Sequence, residues 1–366
     1  FHRTSAQYPS SPRLTFPPRR FRARPPRVAR HLRFCRTLRF IAIVSMAPGG
    51  ARELQVWSFN LRTEFCDKAD GPDGWSQRRS GVAELLRRRR PALVCCQEAT
   101  QAMLEYLAEQ LRDDGYAWVG VSRSVDRPDE TAGMLFDASR LRLVDHSAEW
   151  FGPPGTPAGA AGWDAALPRT METALFRVAT WAAPGAYLRA VSTHFDHVGT
   201  EARAQSASQL LSACRRWSAE RPEAALVVCG DFNSTKAGSP AYARLAAVPT
   251  AGLRDVARAV PSRASRPRLR STIHKFQGTA FDGGRGDGTV RLATAQDAED
   301  AGHIDWLFWR NGAGLRLQPR DYEVVTERLP SGRYPSDHFP IQAVFDMELR
   351  PAAGRPTPAP AGLSKL

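Results

Sequence analysis

The chain has 366 residues and a formal net charge of +14, from 51 Lys and Arg against 37 Asp and Glu. Its hydrophobic fraction of 42% can build a sizeable core, which excludes a fully disordered or a collagen-like chain. The longest apolar stretch, Phe40–Met46, is far shorter than the roughly 18 residues of a membrane-spanning helix, so we expect no membrane span. The six Cys contain no C-x-x-C pair, and a chain of this length does not depend on a disulfide scaffold.

The positive charge is concentrated near the beginning of the chain. Residues 1–50 contain 11 Arg and no Lys, Asp or Glu, so the rest of the chain carries only +3. This Arg- and Pro-rich composition predicts a disordered segment. Three interpretations are open: a basic arm that binds nucleic acid, a targeting peptide, or a segment outside the working protein, since the first Met is Met46. We favour the third, and we predict one domain over residues 51–349 and a disordered Pro/Ala-rich tail over residues 350–366.

From Arg52 onward, the hydrophobic pattern alternates between strand and helix periodicities. Two interruptions rich in Gly or Pro are predicted as loops, at Gly152–Gly162 and Pro261–Asp300. The predicted elements, in chain order, are a strand at Leu54–Asn60, a helix at Trp75–Arg90, a strand at Ala92–Cys96, a helix at Thr100–Arg112, strands at Ala117–Val121, Gly133–Phe136, Leu141–Trp150, Thr173–Trp181 and Leu188–His194, a helix at Glu201–Trp217, a strand at Ala225–Cys229, helical pieces at Ala241–Ala247 and Leu253–Val260, and strands at Ile304–Trp309, Tyr322–Thr326 and Phe339–Met347.

Polar residues cluster at or beside the ends of these predicted strands. Alternating strand–helix folds build their ligand sites at such ends. One Asp at a strand end is usually a turn residue or a helix cap, but that explanation does not cover six blocks in one chain. The blocks are Asn60, Gln97-Glu98, His194, Asp231 with Asn233, Asp305, and Asp337-His338.

The residue types indicate phosphate-ester hydrolysis. Glu98, Asp337 and Asn60 supply hard oxygen ligands, which suit Mg²⁺ or Mn²⁺ better than Zn²⁺. Such an ion neutralises phosphoryl oxygens and stabilises a leaving alkoxide. A His with a carboxylate partner can orient or deprotonate water. Asp231 and Asn233, two positions apart, can hold that water and a phosphate oxygen together.

In this order, the six blocks resemble the endonuclease/exonuclease/phosphatase superfamily over roughly residues 52–348. The resemblance implies a DNase I-like α/β (α+β) fold, a four-layer αββα sandwich of two mixed β-sheets flanked by helices. The site is expected at one rim of the two sheets. Finer motifs are similar to a bacterial and fungal-type branch whose substrate the resemblance does not define: Asp73–Arg79, Gly162-Trp163-Asp164 with Arg169, Thr193–His197 followed by Ala202-Arg203, and Tyr334–Pro340.

The resemblance also implies roles for the metal-binding and water-activating residues. Glu98 would be the principal metal ligand, assisted by Asn60 and Asp337. Asp231 would activate or orient the attacking water, with Asn233 beside it. The expected cofactor is therefore Mg²⁺, with Mn²⁺ as an alternative.

Further residues are expected to contact the phosphate. His338, oriented by Asp305, would contact the scissile phosphate or act as the base, and the choice between His338 and Asp231 as base is open. His194 would bind the phosphate or assist the leaving group. We interpret Arg169 as a phosphate contact, because guanidinium groups match phosphate geometry, although a surface role is equally compatible with its sequence context. His197 is a substrate-binding candidate, or it supports the site through Asp196 or caps the following helix.

Departures from the family pattern argue against two specific classes of enzyme. Arg62 occupies a position at which repair endonucleases carry a second acidic residue, which argues against an abasic-site endonuclease. The run His194-Phe-Asp-His197 resembles part of the binuclear zinc site of metallo-β-lactamases, but Ser192 replaces its first His.

We predict a monomeric Mg²⁺-dependent phosphodiesterase, nuclease or phosphomonoesterase with a phosphate-ester substrate. The alternatives are a non-catalytic nucleic-acid-binding protein that uses the basic segment and, less favoured, a degenerate family member.

The sequence ends in Ser364-Lys365-Leu366, which at a free C-terminus is an address read by the peroxisomal import receptor. We therefore expect a peroxisomal location, with the cytoplasm or another organelle as the alternative. A fluorescent protein fused to the N-terminus should appear in peroxisomes of a eukaryotic host, and replacing Leu366 should disperse it. A peroxisomal distribution that survives the loss of Leu366, seen by microscopy, would contradict the expectation.

Overall fold

The computed structural model describes residues 52–66, 71–179, 186–247, 252–260, 269–281 and 299–350. The predicted basic segment, the tail with its peroxisomal tripeptide and much of the predicted loop Pro261–Asp300 lie outside the described residues. The predicted division of the chain and the predicted location therefore stay predictions. None of the helices in the described ranges has both the length and the apolar character needed to cross a bilayer.

Fourteen strands, five α-helices and a short 3₁₀ turn at Gly278–Ala280 make up the described part of the chain. The helices are α1 (Trp75–Arg89), α2 (Gln101–Gln110), α3 (Thr200–Glu220), α4 (Pro240–Ala246) and α5 (Val256–Ala259). The strands are β1 (Arg52–Asn60), β2 (Leu93–Gln97), β3 (Ala99–Thr100), β4 (Tyr116–Val119), β5 (Glu130–Thr131), β6 (Met134–Asp137), β7 (Leu141–Trp150), β8 (Thr170–Val178), β9 (Tyr187–His194), β10 (Ala225–Asp231), β11 (Arg254–Asp255), β12 (Asp305–Arg310), β13 (Leu315–Val324) and β14 (Ile341–Leu349).

Two six-stranded mixed sheets form the centre of the fold. The first has the order β13-β14-β1-β2-β6-β4, and the second has the order β11-β12-β10-β9-β8-β7. Strands β3 and β5 form a separate two-stranded ribbon. In each sheet one central pair is parallel, β1 with β2 and β9 with β10, while the other pairs are antiparallel. The carboxyl ends of each parallel pair therefore meet at one edge of the sheet.

Three apolar clusters define four layers. One lies between the sheets and combines residues such as Val56 and Cys95 of the first with Ala190 and Val227 of the second. Another packs α1 and α2 on the outer face of the first sheet. The third packs α3 and α4 on the outer face of the second. This layering confirms the predicted αββα sandwich, because each sheet buries one face against its partner and the other against helices.

Local sequence signals explain several element boundaries. Thr100 caps α2 by accepting a hydrogen bond from the Met103 N–H at 3.1 Å. Helix α1 ends at Arg89, and the next residue, Arg90, adopts a left-handed conformation immediately before Pro91. Gly230 allows β10 to approach β9 closely, since a Cβ there would lie 2.5 Å from the Thr193 carbonyl oxygen.

The structure differs from the predicted elements in a few places. Residues Leu253–Val260, predicted as helical, contain β11 followed by the one-turn helix α5, because Asp255 pairs with Phe308 and then caps that helix. The predicted strand Tyr322–Thr326 begins earlier in the structure, as β13. Its first residues were not predicted as strand because polar residues and the irregular register near Pro319 interrupt the alternation of apolar and polar side chains. The short strands β3 and β5 were not predicted, because two residues carry no measurable period.

Candidate active site

The predicted site residues converge because of the strand topology. Asn60 ends β1 and is paired in register with Gln97 of β2, so Glu98 directly follows at the same edge. In the second sheet, Asp231 at the end of β10 is paired with His194 of β9 and with Asp305 of β12. The segment before β14 brings Asp337 and His338 to this edge.

Asn60 links the two sheets. Its side-chain amide nitrogen donates to Glu98 Oε1 at 2.9 Å and to Asp231 Oδ2 at 3.0 Å. Its carbonyl oxygen accepts from the Arg62 N–H at 2.9 Å. Glu98 has a φ of +54°, and its other carboxylate oxygen accepts from the Thr63 N–H at 3.3 Å. Asn60 therefore orients both carboxylates, and its own oxygen is held by backbone.

Acidic side chains crowd this edge within a mostly buried setting. Burial, followed by the negative charge of Asp305, raises the pKa of Asp231 to about 7. Burial also raises the pKa of Asp337, with the charge of Glu98 adding to it against the opposing effect of His338. The pKa of Glu98 is lowered, because the Asn60 hydrogen bond and the charges of His338 and Arg62 outweigh the effect of its burial.

These carboxylates fit a hard divalent cation. Ligand atoms of Glu98, His194 and Asp231 lie within 4.8 Å of one another, and so do those of Asp231, Asp305 and His338. Asp337 is in neither group, and its carboxylate lies 3.4 Å from Arg62 Nη1. A bound divalent ion would relieve the mutual repulsion of buried carboxylates, and an oxygen-rich donor set suits Mg²⁺ or Mn²⁺.

His338 is buried between carboxylates. Its Nδ1 lies 2.9 Å from Asp305 Oδ2, and its Nε2 lies 3.9 Å from Asp231 Oδ2. Burial alone would lower the pKa of His338, but the charge and hydrogen bond of Asp305, together with Asp231 and Asp337, raise it to about 10. The surrounding carboxylates therefore favour the protonated ring, and its Nε2 lies on the side of the carboxylate cluster.

His194 is enclosed by Arg169 on one side and Asn233 on the other. Arg169 Nη1 lies 2.9 Å from His194 Nδ1, and Asn233 Nδ2 lies 3.0 Å from His194 Nε2. Asn233 has a φ of +46° and also donates to the Phe195 carbonyl at 2.9 Å. The other end of the Arg169 fork, Nη2, lies 3.1 Å from His197 Nδ1. The structure therefore brings both predicted substrate-binding residues to the edge of the site, where Arg169 is buried.

Two of the branch motifs have structural roles around helix α3. Asp164 accepts hydrogen bonds from the Ala202 N–H at 2.6 Å and the Glu201 N–H at 3.3 Å, which caps the helix. Asp196 accepts from the backbone N–H groups of residues 198 and 199, and Arg203 donates to its carbonyl at 3.0 Å. These contacts stabilise the loop that carries His197.

The sequence reasoning did not identify Glu130 and Arg123. Glu130 Oε2 lies 2.7 Å from Arg123 Nη1, 3.9 Å from Arg169 Nη1 and 3.8 Å from His194 Nδ1. Burial, and next the charge of Glu98, raise the pKa of Glu130 to about 7. Arg123 lies in the loop before β5 and Glu130 is the first residue of that two-residue strand, and in sequence both resemble solvent-exposed charged residues, so no local signal identifies them.

Arg78 is a further residue whose role the sequence reasoning missed. It is fully buried and donates to four backbone carbonyls, those of Asp73, Leu61, Arg62 and Pro335. It therefore joins α1 to the loop after Asn60 and to the loop before Asp337. A signal was present, since Arg78 occupies the same helical face as the buried Trp75, Val82, Leu85 and Leu86.

Comparisons with solved structures support the fold. A mannosyl-6-phosphatase from Bacteroides thetaiotaomicron is 24% identical, with a TM-score of 0.62 over 81% of this chain and 99% of its own. TDP2 from D. rerio, solved with a single-strand DNA product, is 19% identical, with a TM-score of 0.55 over 80% and 98% of the two chains. The human Nocturnin catalytic domain, solved with a bound sulfate anion, is 15% identical, with a TM-score of 0.54 over 81% and 94%.

The sequence comparison is more decisive than these distant likenesses. No curated protein matches the chain at a significant level. The sequence profile of the Endonuclease/Exonuclease/phosphatase family matches residues 57–338, a range that includes Asn60, His338 and every site residue between them. Because that range spans more than half of the chain, the chain belongs to the Endonuclease/Exonuclease/phosphatase family, whose members are phosphoesterases.

Proposed function

We propose that this protein is a Mg²⁺-dependent phosphoester hydrolase, with Mn²⁺ as an alternative ion, that acts on a phosphodiester or a phosphomonoester. The observation that carries the proposal is the junction at Asn60. There, Glu98 of the first sheet and Asp231 of the second are held by one amide at 2.9 and 3.0 Å. A metal-binding carboxylate and a water-orienting carboxylate would then flank one phosphate.

In this proposal, Glu98 would hold the metal ion together with Asp337 and Asn60. The bound ion supplies charge neutralisation at the phosphoryl oxygens and the leaving oxygen. The Asn60 amide oxygen accepts from the Arg62 N–H in this structure, and its second lone pair would be the one offered to the ion. The remaining tasks, which are orienting water and moving its proton, fall to side chains of the second sheet.

We assign proton acceptance to Asp231. His338 is a poor base, because its pKa of about 10 keeps it protonated at neutral pH. A protonated imidazole fixed by Asp305 is suited instead to donate a hydrogen bond to a phosphate oxygen. Burial, followed by the charge of Asp305, raises the pKa of Asp231 to about 7, which suits a proton acceptor near neutral pH, so water held between phosphate and Asp231 would lose its proton to this carboxylate.

A substrate panel on the full chain tests the proposal. It should contain single- and double-stranded DNA, RNA, sugar phosphates, inositol phosphates, nucleotide cofactors, sphingomyelin and a generic phosphodiester. We expect hydrolysis of at least one ester with Mg²⁺ or Mn²⁺ and none with EDTA. His338→Gln should lower kcat/KM by about 10²–10⁴-fold, because it removes the charged donor.

His146→Gln is the matched control, since His146 contacts Glu172 of the neighbouring strand β8, away from the carboxylate cluster. Its kcat/KM should stay near the wild-type value. If every ester in the panel remains intact with both ions, the enzyme proposal fails. Salt-dependent binding of nucleic acid without turnover would instead support the non-catalytic alternative, which depends on the basic segment.

A further inference from the structure

We propose that a cavity beside Asn233, the Arg203 cavity, binds a second phosphate group of the substrate. The inference rests on the proposed hydrolase function and names a substrate class for it, an ester that carries two phosphates. The cavity has a volume of about 220 Å³ and is lined by the first turn of α3 and by the loop between Asn233 and α4. Pockets that enclose a whole small ligand measure about 300–1,000 Å³, so this one suits a single group of a substrate that extends from the candidate active site.

Asn233 belongs both to the candidate active site and to the Arg203 cavity. Its side-chain amide nitrogen lies 3.0 Å from His194 Nε2 and donates to the Phe195 carbonyl at 2.9 Å. The same residue lines the cavity. A phosphate bound among the carboxylates of the site would therefore have the cavity as its neighbour, and a substrate with two nearby phosphates would occupy both.

Arg203 supplies the charge of the cavity. The residue is 8% exposed, and its Nη1 donates to the Asp196 carbonyl at 3.0 Å. Among the described residues, its Nε and Nη2 have no hydrogen-bond partner, and neither nitrogen is fully enclosed. Burial lowers the pKa of Arg203 against the opposing charges of Asp196 and Asp164, so the cation is incompletely compensated. A mostly buried guanidinium group therefore presents unused donors to the cavity.

The surroundings of Arg203 leave room for an anion. The carboxylates of Asp164 and Asp196 already accept hydrogen bonds from backbone N–H groups at the start of α3 and in the loop before it. None of the described residues that line the cavity is acidic, and Thr200 and Ser234 contribute hydroxyl groups to its wall. A guanidinium group beside hydroxyl donors matches a phosphate, whose anionic oxygens accept several charge-assisted hydrogen bonds.

Equilibrium binding to the full chain tests the proposal without turnover. Isothermal titration calorimetry in EDTA compares two matched pairs, thymidine 5′-phosphate with thymidine 3′,5′-bisphosphate and inositol 1-phosphate with inositol 1,4-bisphosphate. We expect at least one bisphosphate to bind the wild type about 10–100-fold more tightly than its monophosphate, the range of a charge-assisted hydrogen bond. The two pairs distinguish a nucleotide from an inositol as the carrier of the second phosphate. Equal affinities within both pairs overturn the proposal.

Arg203→Met should remove this gain in affinity, so that the two members of the pair bind about equally. Arg216→Met is the matched control, because Arg216 lies on the same helix with a side chain that is 46% exposed and pairs with Glu149. The gain should persist in that variant. A gain that Arg203→Met retains, or that Arg216→Met also loses, overturns the proposal, since the second phosphate then responds to net charge or to another site.

Ala237→Asp keeps the test decisive if Arg203→Met does not fold. Ala237 is exposed and lines the cavity, so a carboxylate there would repel a second phosphate without removing a side-chain contact. The gain should again be lost, and a folded Ala237→Asp protein that retains it contradicts the assignment of the cavity.

The kinetic consequence of the second phosphate is confined to KM. With Mg²⁺ or Mn²⁺, a bisphosphate ester should show a KM about 10–100-fold below that of its monophosphate and a similar kcat, because the cavity binds a group that does not react. A gain in affinity without any hydrolysis would refute the proposed function and leave the phosphate cavity in place. Hydrolysis without a gain in affinity would refute the cavity alone, so the two failures are distinguishable.

Discussion

Replacing Glu98 with glutamine is expected to abolish divalent-metal binding and hydrolysis together. The Glu98→Gln change keeps the shape of the side chain, and the glutamine oxygen can still accept from the Asn60 amide, which lies 2.9 Å from Glu98 Oε1. The change removes the negative charge that a Mg²⁺ or Mn²⁺ ion requires. Because the ion stabilises the transition state by several kcal/mol, kcat/KM should fall by about 10³-fold or more. Titration calorimetry with each ion and the hydrolysis of the best panel ester measure the two effects.

Glu105→Gln is the control for this experiment. Glu105 lies exposed on α2, so its replacement removes the same charge without touching the site. Its metal affinity and activity should match those of the wild type. The Glu98 variant should also unfold at nearly the wild-type denaturant concentration. Wild-type metal affinity in a folded Glu98→Gln protein would contradict the assignment of Glu98 as the principal ligand.

Arg78→Met is expected to cause the largest loss of stability among the substitutions considered. The Arg78 guanidinium donates to the buried carbonyls of Leu61 and Pro335 at 2.9 and 2.7 Å, and methionine cannot replace either bond. Each buried acceptor left without a donor costs about 1–3 kcal/mol, so the free energy of unfolding should fall by about 3 kcal/mol or more. Denaturant unfolding followed by circular dichroism measures the change.

The neighbouring Arg79 provides the control. Arg79 is exposed and lies over the ring of Tyr106, with its guanidinium carbon 4.7 Å from the ring centroid. Arg79→Met should therefore change the free energy of unfolding by less than about 1 kcal/mol. If the Arg78 and Arg79 variants unfold together, the four carbonyl contacts of Arg78 do not stabilise the fold.

The sequence predicts those site residues that lie at or directly after the end of a predicted strand. Asn60, Glu98, His194 and Asp231 follow or end apolar runs, and parallel neighbours bring such ends together. Asp305 is among the polar blocks that the sequence singles out, but its role beside His338 comes from the family resemblance, since it begins an antiparallel strand and joins the cluster by its register with Asp231. The four-layer fold is implied by the family resemblance, whereas the alternation of strand and helix patterns alone indicates only a chain that contains both.

The residues that the sequence does not reveal act through contacts between distant segments. Glu130 and His194 meet only because β5 and the end of β9 are placed together, and charged loop residues resemble a solvated surface. Arg78 looks like its exposed neighbours until its helical face is considered. The orientation of Arg169 towards two ring nitrogens, rather than towards solvent, depends on side-chain packing that local patterns do not encode.

The pairing of β1 with β14 has a consequence for synthesis on the ribosome. Ser58 of β1 is paired with Ile341 of β14, about 280 residues later in the chain. At about 5–20 residues per second, the partner emerges roughly 15–55 s after β1. Until then, one edge of β1 offers its backbone groups to any other strand, and its side chains include the apolar Leu54, Val56, Trp57 and Phe59. This edge of β1 therefore stays unpaired with its native partner until the ribosome has made β14.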